Sequence, residues 1–546
     1  MKSGIYPFLK LKRKDQLSFE NWFDQGLYLP DRKFPPKILV KGESGLCGGY
    51  FSVYDQRISP QEVFNACKTR RWSFFDELIG EFFIIFADFD FEEIFVIVDQ
   101  NGKFPCYFSM IDDQLTLSVD FSLVKDSVKN KSLNLDYAFD FLNSSNFLLQ
   151  TDETILNEIG QIPTGTILRI NHNLEIGLKS FVDIDKFFGN KPPVFKSLGE
   201  FSNAFLSKLE EIIREKTTIL NKLDLNFTSD LSSGFDSSLI SYLLKKTTAK
   251  PFSCVSWKSQ YIVGDTDPRI VQEFANKHNL KVDFFNVDDL FPFSSFDLDW
   301  VGKNFYPASH ATELSFNLCK NLLNNRINVL FQGVGGDEIY ASSNLELETR
   351  FLPQTIFFKA FVGHLRDNKL ELVFTPKGLE YFLNHERFRQ KNYFPIIHSP
   401  SALYLETQYF SVLWENDVWP ISPFIDQRLS QLCRGIPRRD SKLPTKFGIW
   451  KDHDEIFTKS QFRPNSHMSN LFNRCLKERK DVVLTILGNS KLEETGMLYI
   501  SELRYNFENG NEDMYLADNG VSAIIQNLVH LEYFLQNNNV RIPDNW

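Results

Sequence analysis

Apolar and polar positions alternate in short runs over the first 190 residues, and the rhythm then changes. Runs at 37–40, 82–86, 94–98 and 115–119 are apolar and of strand length, broken by turn chemistry such as Gln100-Asn101-Gly102 and the polar step at 112–114. This predicts a β-rich region. The glycines Gly42, Gly45, Gly48 and Gly49 read as loop geometry, because no helix pattern follows them directly. Gly189-Asn190-Lys191-Pro192-Pro193 is short, polar and stiffened by two prolines, which predicts a linker.

Beyond the linker, Phe201, Phe205, Leu209, Ile212 and Ile213 recur at helical spacing and predict an amphipathic helix. Leu223, Leu225 and Phe227 alternate with polar residues and predict a strand, followed by helix at 239–244. Strands expected at 252–257, 282–287 and 327–331 alternate with helices expected at 268–278 and 312–323. That alternation is the mark of a doubly wound parallel sheet, whose ligands bind beyond the carboxyl ends of the strands. From about residue 400 the pattern is mostly helical (403–414, 468–484, 521–536), and these helices are expected to surround the sheet. The fold class is α/β, with a β-rich domain at 1–190 and a parallel-sheet domain at 198–546.

Composition narrows the function. A chain of 546 residues with 15% aromatics can bury a large core. Its net charge of −10 argues against a nucleic-acid partner, and the basic run at 10–14 reads as a solvated edge. Seven scattered cysteines without a CxxC pair suggest neither a disulfide framework nor a structural zinc site. Nine histidines without HExxH leave a zinc hydrolase unsupported. The most apolar segment, 82–98, carries Asp88, Asp90, Glu92 and Glu93, so it is a strand pair and not a membrane span. No signal-peptide pattern opens the chain. The expectation is a soluble, cytoplasmic protein with no membrane partner.

Chemistry concentrates in two loops. Asp230-Leu231-Ser232-Ser233-Gly234-Phe235-Asp236-Ser237-Ser238 follows a predicted strand and opens a helix. Small residues there let backbone N–H groups reach an anion, and the helix N-terminus adds positive charge. Asp236 alone would repel phosphate, which calls for a divalent cation between them. No Lys or Arg follows Gly234 as in a GxxxxGK[ST] loop, and no Ser has the flanking glycines of a GxSxG elbow. The second loop, Phe331-Gln332-Gly333-Val334-Gly335-Gly336-Asp337-Glu338, offers three glycines and another carboxylate at a strand end.

Together these loops resemble the asparagine synthetase family of ATP-pyrophosphatases, where they read SGGxDSS and GxGGDE. Ser233 stands where Gly is usual. Pro423-Phe424-Ile425-Asp426-Gln427-Arg428 resembles the family's PFLDxR, and Phe457-Thr458-Lys459-Ser460-Gln461-Phe462 resembles the segment carrying its essential Lys. The resemblance implies ATP and Mg²⁺ as cofactors. It assigns pyrophosphate to Leu231, Ser232, Ser233, Gly234, Phe235, Asp236 and Ser237 with Gly333 and Gly335. It also assigns Mg²⁺ to Asp236 and Asp337, adenine to Val255 and Ser256, and charge stabilisation to Lys459, with Lys446 as a second phosphate contact. The first half resembles the family's glutaminase, an Ntn-type α+β sandwich, in Leu78-Ile79-Gly80-Glu81-Phe82-Phe83, in the turn from Asp99 to Tyr107, and in Ile162-Pro163-Thr164-Gly165. Lys2 stands where glutamine-using members carry their nucleophilic Cys, and the first cysteine is Cys47. The implied half is a glutaminase fold without glutaminase chemistry.

Val334, where the family places a residue such as Glu or Tyr beside the acyl-adenylate, cannot handle a proton. Asparagine synthesis is therefore disfavoured, and an amine on the substrate itself becomes the expected nucleophile. Phe447-Gly448, Ser466-His467-Met468-Ser469 and the region 471–484 are similar to lasso-peptide macrolactam synthetases. That similarity implies a ribosomal core peptide as substrate, its Asp or Glu side chain adenylated and closed by its N-terminal amine. A leader-cleaving peptidase is the implied partner. A small-molecule amide synthetase (β-lactam synthetase-like or asparagine synthetase-like) and a non-catalytic ATP-binding relative are the alternatives.

Overall fold

A computed structural model describes residues 7–12, 27–32, 34–53, 58–144, 151–183, 186, 191–259, 267–288, 290, 292–305, 312–339, 370–382, 410–437, 445–462, 469–516 and 519–543. It is a mixed α/β structure with two antiparallel sheets and one parallel sheet.

The antiparallel sheets lie in the first half. One has five strands, in the order Leu27–Tyr28, Phe8–Lys12, Gln114–Ser118, Tyr107–Ile111, Gly160–Gln161. The other has six, in the order Ile176–Ser180, Thr166–Ile170, Glu93–Val98, Gly80–Asp88, Gly45–Val53, Lys37–Gly42. Leu9, Leu11, Leu115 and Leu117 from the first sheet share a core with Phe83, Ile85, Val96 and Leu168 from the second. Phe82, Ile84 and Phe86 point the other way, onto Val63, Phe64 and Phe75 of the helices Pro60–Lys68 and Ser73–Glu77. With both faces covered, the strand Gly80–Asp88 needs no polar alternation, which explains its unbroken apolar run.

Three expectations for local structure are corrected. Gly45, Gly48 and Gly49 sit inside the strand Gly45–Val53 and not in a loop. Gly49 has φ +153°, and a Cβ there would lie 2.0 Å from the Phe83 carbonyl oxygen, so glycine serves the close approach of two strands. Leu223 is the C-cap of the helix Leu198–Lys222 and 42% exposed, so the strand starts only at Phe227. Lys10 is exposed as expected, yet its strand is paired on both sides and is not an edge, while Arg13 and Lys14 lie outside the described residues. The linker is partly outside them too. Lys191 to Phe195 have no regular structure.

The helix Leu198–Lys222 is capped by Ser197, whose hydroxyl accepts from the Glu200 N–H, and it buries the five predicted apolar residues. It leads into a five-stranded parallel sheet ordered Lys281–Asn286, Ser253–Lys258, Phe227–Asp230, Val329–Phe331, Trp419–Ile421. In chain order this is 3-2-1-4-5. The chain reverses direction across the sheet between Phe227–Asp230 and Val329–Phe331, and a crevice at such a point is where open sheets bind ligands.

The late helices are arranged differently from expectation. The predicted 468–484 helix is two helices, Ser469–Glu478 and Lys480–Gly488, and only Phe410–Glu415 of the 403–414 helix lies within the described residues. Asn519–Asn537 does not wrap the parallel sheet. Its Ile525, Leu528, Val529 and Phe534 share a core with Phe121, Val124, Phe139 and Leu142 of the first half. Among the described residues no helix is long and apolar enough to cross a membrane.

Candidate active site

The first loop closes on itself before it meets any ligand. Strand Phe227–Asp230 ends in a backbone tie, Leu231 N–H to the Val255 carbonyl at 2.8 Å. The Ser237 hydroxyl accepts from the Ser232 N–H at 2.9 Å and lies 2.8 Å from the Ser232 hydroxyl, which in turn accepts from the Gly234 N–H. These bonds fix the turn without a charged side chain. Gly234 is the N-cap of the helix Phe235–Thr247 and offers no side-chain cap, so the first-turn N–H groups are not claimed by a capping side chain. Ser233, where the family's glycine was expected, is buried, so its hydroxyl is not an extra exposed donor for phosphate.

The second loop comes to within touching distance of the first. A Cβ on Gly333 would lie 2.8 Å from the Ser237 nitrogen, and one on Gly336 would lie 2.2 Å from the Asp236 carboxyl carbon. Glycine is the only residue that leaves Asp236 its place. Gly335, at φ +88°, is seated on Ile425 and Phe424, so the Pro423–Ile425 turn supports the loop from below. Asp426 and Arg428 of the same motif do structural work. Asp426 caps the helix Gln427–Cys433, and Arg428 grips both Asp426 and Glu215. Burial alone would raise the Asp426 carboxyl, but Arg428 holds it below the ordinary range.

Asp236 and Asp337 face the same point. The Lys446 ammonium is 2.5 Å from an Asp236 oxygen and also bonds Asp337. Burial disfavours its charge, but the two carboxylates outweigh that and lift it to about 12. Two anionic oxygens converging on one cation are the donors that Mg²⁺ takes from a protein, with its remaining positions left for water and phosphate. Among the described residues no group of three His, Cys, Asp or Glu side chains could hold a metal. A metal here would be held by this pair alone and completed by its ligand, which the residues fit.

Asp230, Gln461 and Gly336 lie within the sequence motifs without a role that spacing assigns, and the structure gives each one. Asp230 is close enough to Asp236 to feel its charge. Desolvation, opposed by a bond from the Gly333 N–H and assisted by Asp236, lifts its carboxyl to about 7, and one of its oxygens is buried without a partner. Gln461 donates to the Ser238 hydroxyl at 2.8 Å and to the Ser233 carbonyl, while its own carbonyl accepts from the Thr458 N–H. Phe457 and Phe462 pack edge-on to Phe235, at 4.8 and 5.0 Å between centroids. The segment 457–462 is thereby fastened to the first loop. A Gln two residues beyond the candidate Lys was the available signal.

The Lys459 side chain is exposed and makes no hydrogen bond or ion pair to another described residue. The structure thus brings Lys446, and not Lys459, onto the two carboxylates, and seats Lys459 on the segment beside them. Val255 and Ser256 are both buried, and Val255 packs with Trp300 and Leu318. Val334 is half-buried. All seven cysteines are buried. Cys47 is mid-strand, and burial with its contact to Cys47 pushes the Cys67 thiol well up. Lys2 lies outside the described residues.

Both loops fall inside the stretch that is similar to a known family model. Residues 208–391 match the family model for asparagine synthase. The asparagine synthase segment covers the cradle and the GxGGDE loop but stops before Lys446 and Lys459, whose placement rests on geometry. The match supports ATP-dependent amide-forming chemistry. No curated protein sequence matches the chain significantly. Among solved structures, a U34-tRNA thiolase from Methanococcus maripaludis is 12% identical, with 57% of this chain and 80% of that chain covered at a TM-score of 0.23. An allosteric regulatory enzyme of purine biosynthesis is 10% identical, with 54% and 77% covered at 0.18. Glutamine phosphoribosylpyrophosphate amidotransferase from B. subtilis is 11% identical, with 60% and 75% covered at 0.20. Likeness this slight transfers neither fold nor activity.

Proposed function

We propose that the protein uses ATP to join a carboxyl to an amine, and that both belong to one ribosomal core peptide. The peptide's Asp or Glu side chain attacks the α-phosphorus of ATP, the bond to the β-phosphate breaks, and pyrophosphate leaves. The peptide's N-terminal amine then attacks the acyl carbon, gives up a proton, and AMP departs, leaving a lasso-peptide macrolactam. An ionised carboxylate is a poor electrophile, whereas AMP is a good leaving group. Holding both ends of one peptide makes the attack intramolecular, which is worth many orders of magnitude.

The observation that carries this reading is the convergence of Asp236 and Asp337 on one cation at the switch point, with glycines clearing the space between them. In that arrangement the helix N-terminus at Gly234 binds phosphate oxygens, and Lys446 and Lys459 supply positive charge around them. Mg²⁺ bound by the two carboxylates would offset the phosphates' charge. The proton acceptor is not Val334, so the amine has to arrive neutral or lose its proton to another group. All seven cysteines are buried, which disfavours a thiol-based release of ammonia as the source of the amine.

The test is direct. The full chain is incubated with ATP, Mg²⁺, a lasso-type precursor peptide with Asp or Glu in its core and a leader peptidase, and the peptide is weighed by mass spectrometry. Loss of one water with stoichiometric AMP supports ring closure. AMP formation with a free amino acid and no peptide would point to a small-molecule synthetase instead, and nucleotide binding without pyrophosphate release to a non-catalytic relative.

A further inference from the structure

Lys446 occupies the place between two carboxylates that a metal-bearing nucleotide would need. Its ammonium lies 2.5 Å from one oxygen of Asp236 and bonds one oxygen of Asp337 as well, so a divalent ion seated between the two carboxylates would meet its positive charge. Two cations sharing those oxygens would be a few ångströms apart in a partly desolvated site, where like charges repel strongly. We infer that Lys446 and the metal exchange: the lysine neutralises the carboxylates in the free protein, and it is displaced onto the phosphates when the metal–nucleotide arrives. The inference rests on the nucleotide reading of this site.

The surroundings favour a moving side chain on a fixed backbone. Thr445 caps the helix Lys446–Trp450, its hydroxyl accepting from the Gly448 N–H, and Ile449 and Trp450 are buried. Phe447 is packed edge-on against Phe235, the first residue of the cradle helix, at 5.4 Å between centroids. The backbone at 445–450 is therefore anchored to the cradle and to the core. The lysine side chain has the freedom of its four methylenes, and Asp337, 71% exposed, leaves the outer side of the pair open. A lysine released from the pair stays within reach of whatever binds there. With Lys446 in place the pair carries a net charge of about −1, and without it about −2, so the lysine lowers affinity for free metal while adding affinity for a phosphate-bearing one.

The experiment separates these effects with the full-length protein. Binding of Mn²⁺ alone is followed by electron paramagnetic resonance, and binding of Mn²⁺ with a non-hydrolysable ATP analogue by the same signal. Lys446→Met is expected to bind Mn²⁺ alone about tenfold more tightly than wild type, and Mn²⁺ with nucleotide about tenfold more weakly. Lys446→Gln should follow Lys446→Met, and Lys446→Arg should restore the weak free-metal binding, with thermal unfolding confirming that each variant is folded. Equal or weaker Mn²⁺ binding by folded Lys446→Met, while wild type still binds Mn²⁺ with nucleotide, overturns the exchange and leaves the nucleotide reading standing. If Mn²⁺ with nucleotide fails to bind wild type and all variants alike, the nucleotide reading falls and the exchange with it.

Discussion

Gly336 shows how little space the site has to spare. Its missing side chain keeps Asp236 in position, since a Cβ would lie 2.2 Å from that carboxyl carbon. Gly336→Ala is therefore expected to cost about 100-fold in AMP formation, the penalty of misplacing a reacting group by about an ångström. Stability should fall by only about 1 kcal/mol, because a short side chain can swing aside. Pyrophosphate release and urea unfolding measured on the same sample check both halves. Asp99 behaves in the opposite way, affecting stability and not chemistry. Burial and the nearby Glu81 lift it to about 8, against backbone bonds from Phe82, Asn101 and Lys103. A carboxyl near 3.9 in the unfolded chain and near 8 in the folded one keeps a proton in the folded state that the unfolded state has lost. Its contribution to stability is thus present below about pH 4 and is lost as pH rises toward 8. Urea midpoints should fall over that range, and less steeply in Asp99→Asn. Identical pH profiles for the two proteins would refute the assignment.

The segment 457–462 and the helix Phe235–Thr247 stand or fall together. Gln461 bonds the Ser238 hydroxyl and the Ser233 carbonyl, and Phe235 sits among Phe447, Phe457 and Phe462. Gln461→Leu removes the buried amide that bonds those polar groups and should destabilise the fold by about 1–3 kcal/mol, read from chemical denaturation. The loops themselves were legible in the chain, because Asp230 to Ser238 and Gly333 to Asp337 are contiguous and end strands whose apolar pattern is local. The strand beginning at Phe227 was overextended for a related reason: Leu223 continues an apolar rhythm but belongs to a helix cap. The glycines at 45–49 were misplaced because a close approach between strands leaves no trace in spacing, only in what a side chain would strike.

The two halves of the chain are held by a shared interior. Trp419 of the parallel sheet donates its indole N–H to Glu81 of the six-stranded sheet at 2.8 Å, with Lys216 4.0 Å from the same carboxylate. Around them Tyr50, Phe104, Phe410 and Trp414 interlock at 5 to 6 Å between ring centroids, and Arg32 lies 3.7 Å over Trp414. Glu81→Ala removes a buried carboxylate from a buried lysine and an indole, and should cost about 3–5 kcal/mol in unfolding free energy. A variant as stable as wild type would show that Lys216 finds its compensation elsewhere. The chain alone determined the alternation of strands and helices from Phe227 to Phe331, and that two acidic glycine-bearing loops end two strands. Those signals are carried by neighbours two to four positions apart. Only the tertiary structure decided the strand order that sets the loops side by side, and the return of Asn519–Asn537 onto the first half. It also decided that Lys446, 210 residues from Asp236 and 109 from Asp337, meets both. Apolar burial drives such arrangements without direction, so which distant surfaces meet is settled by the fit of whole elements and not by any local pattern.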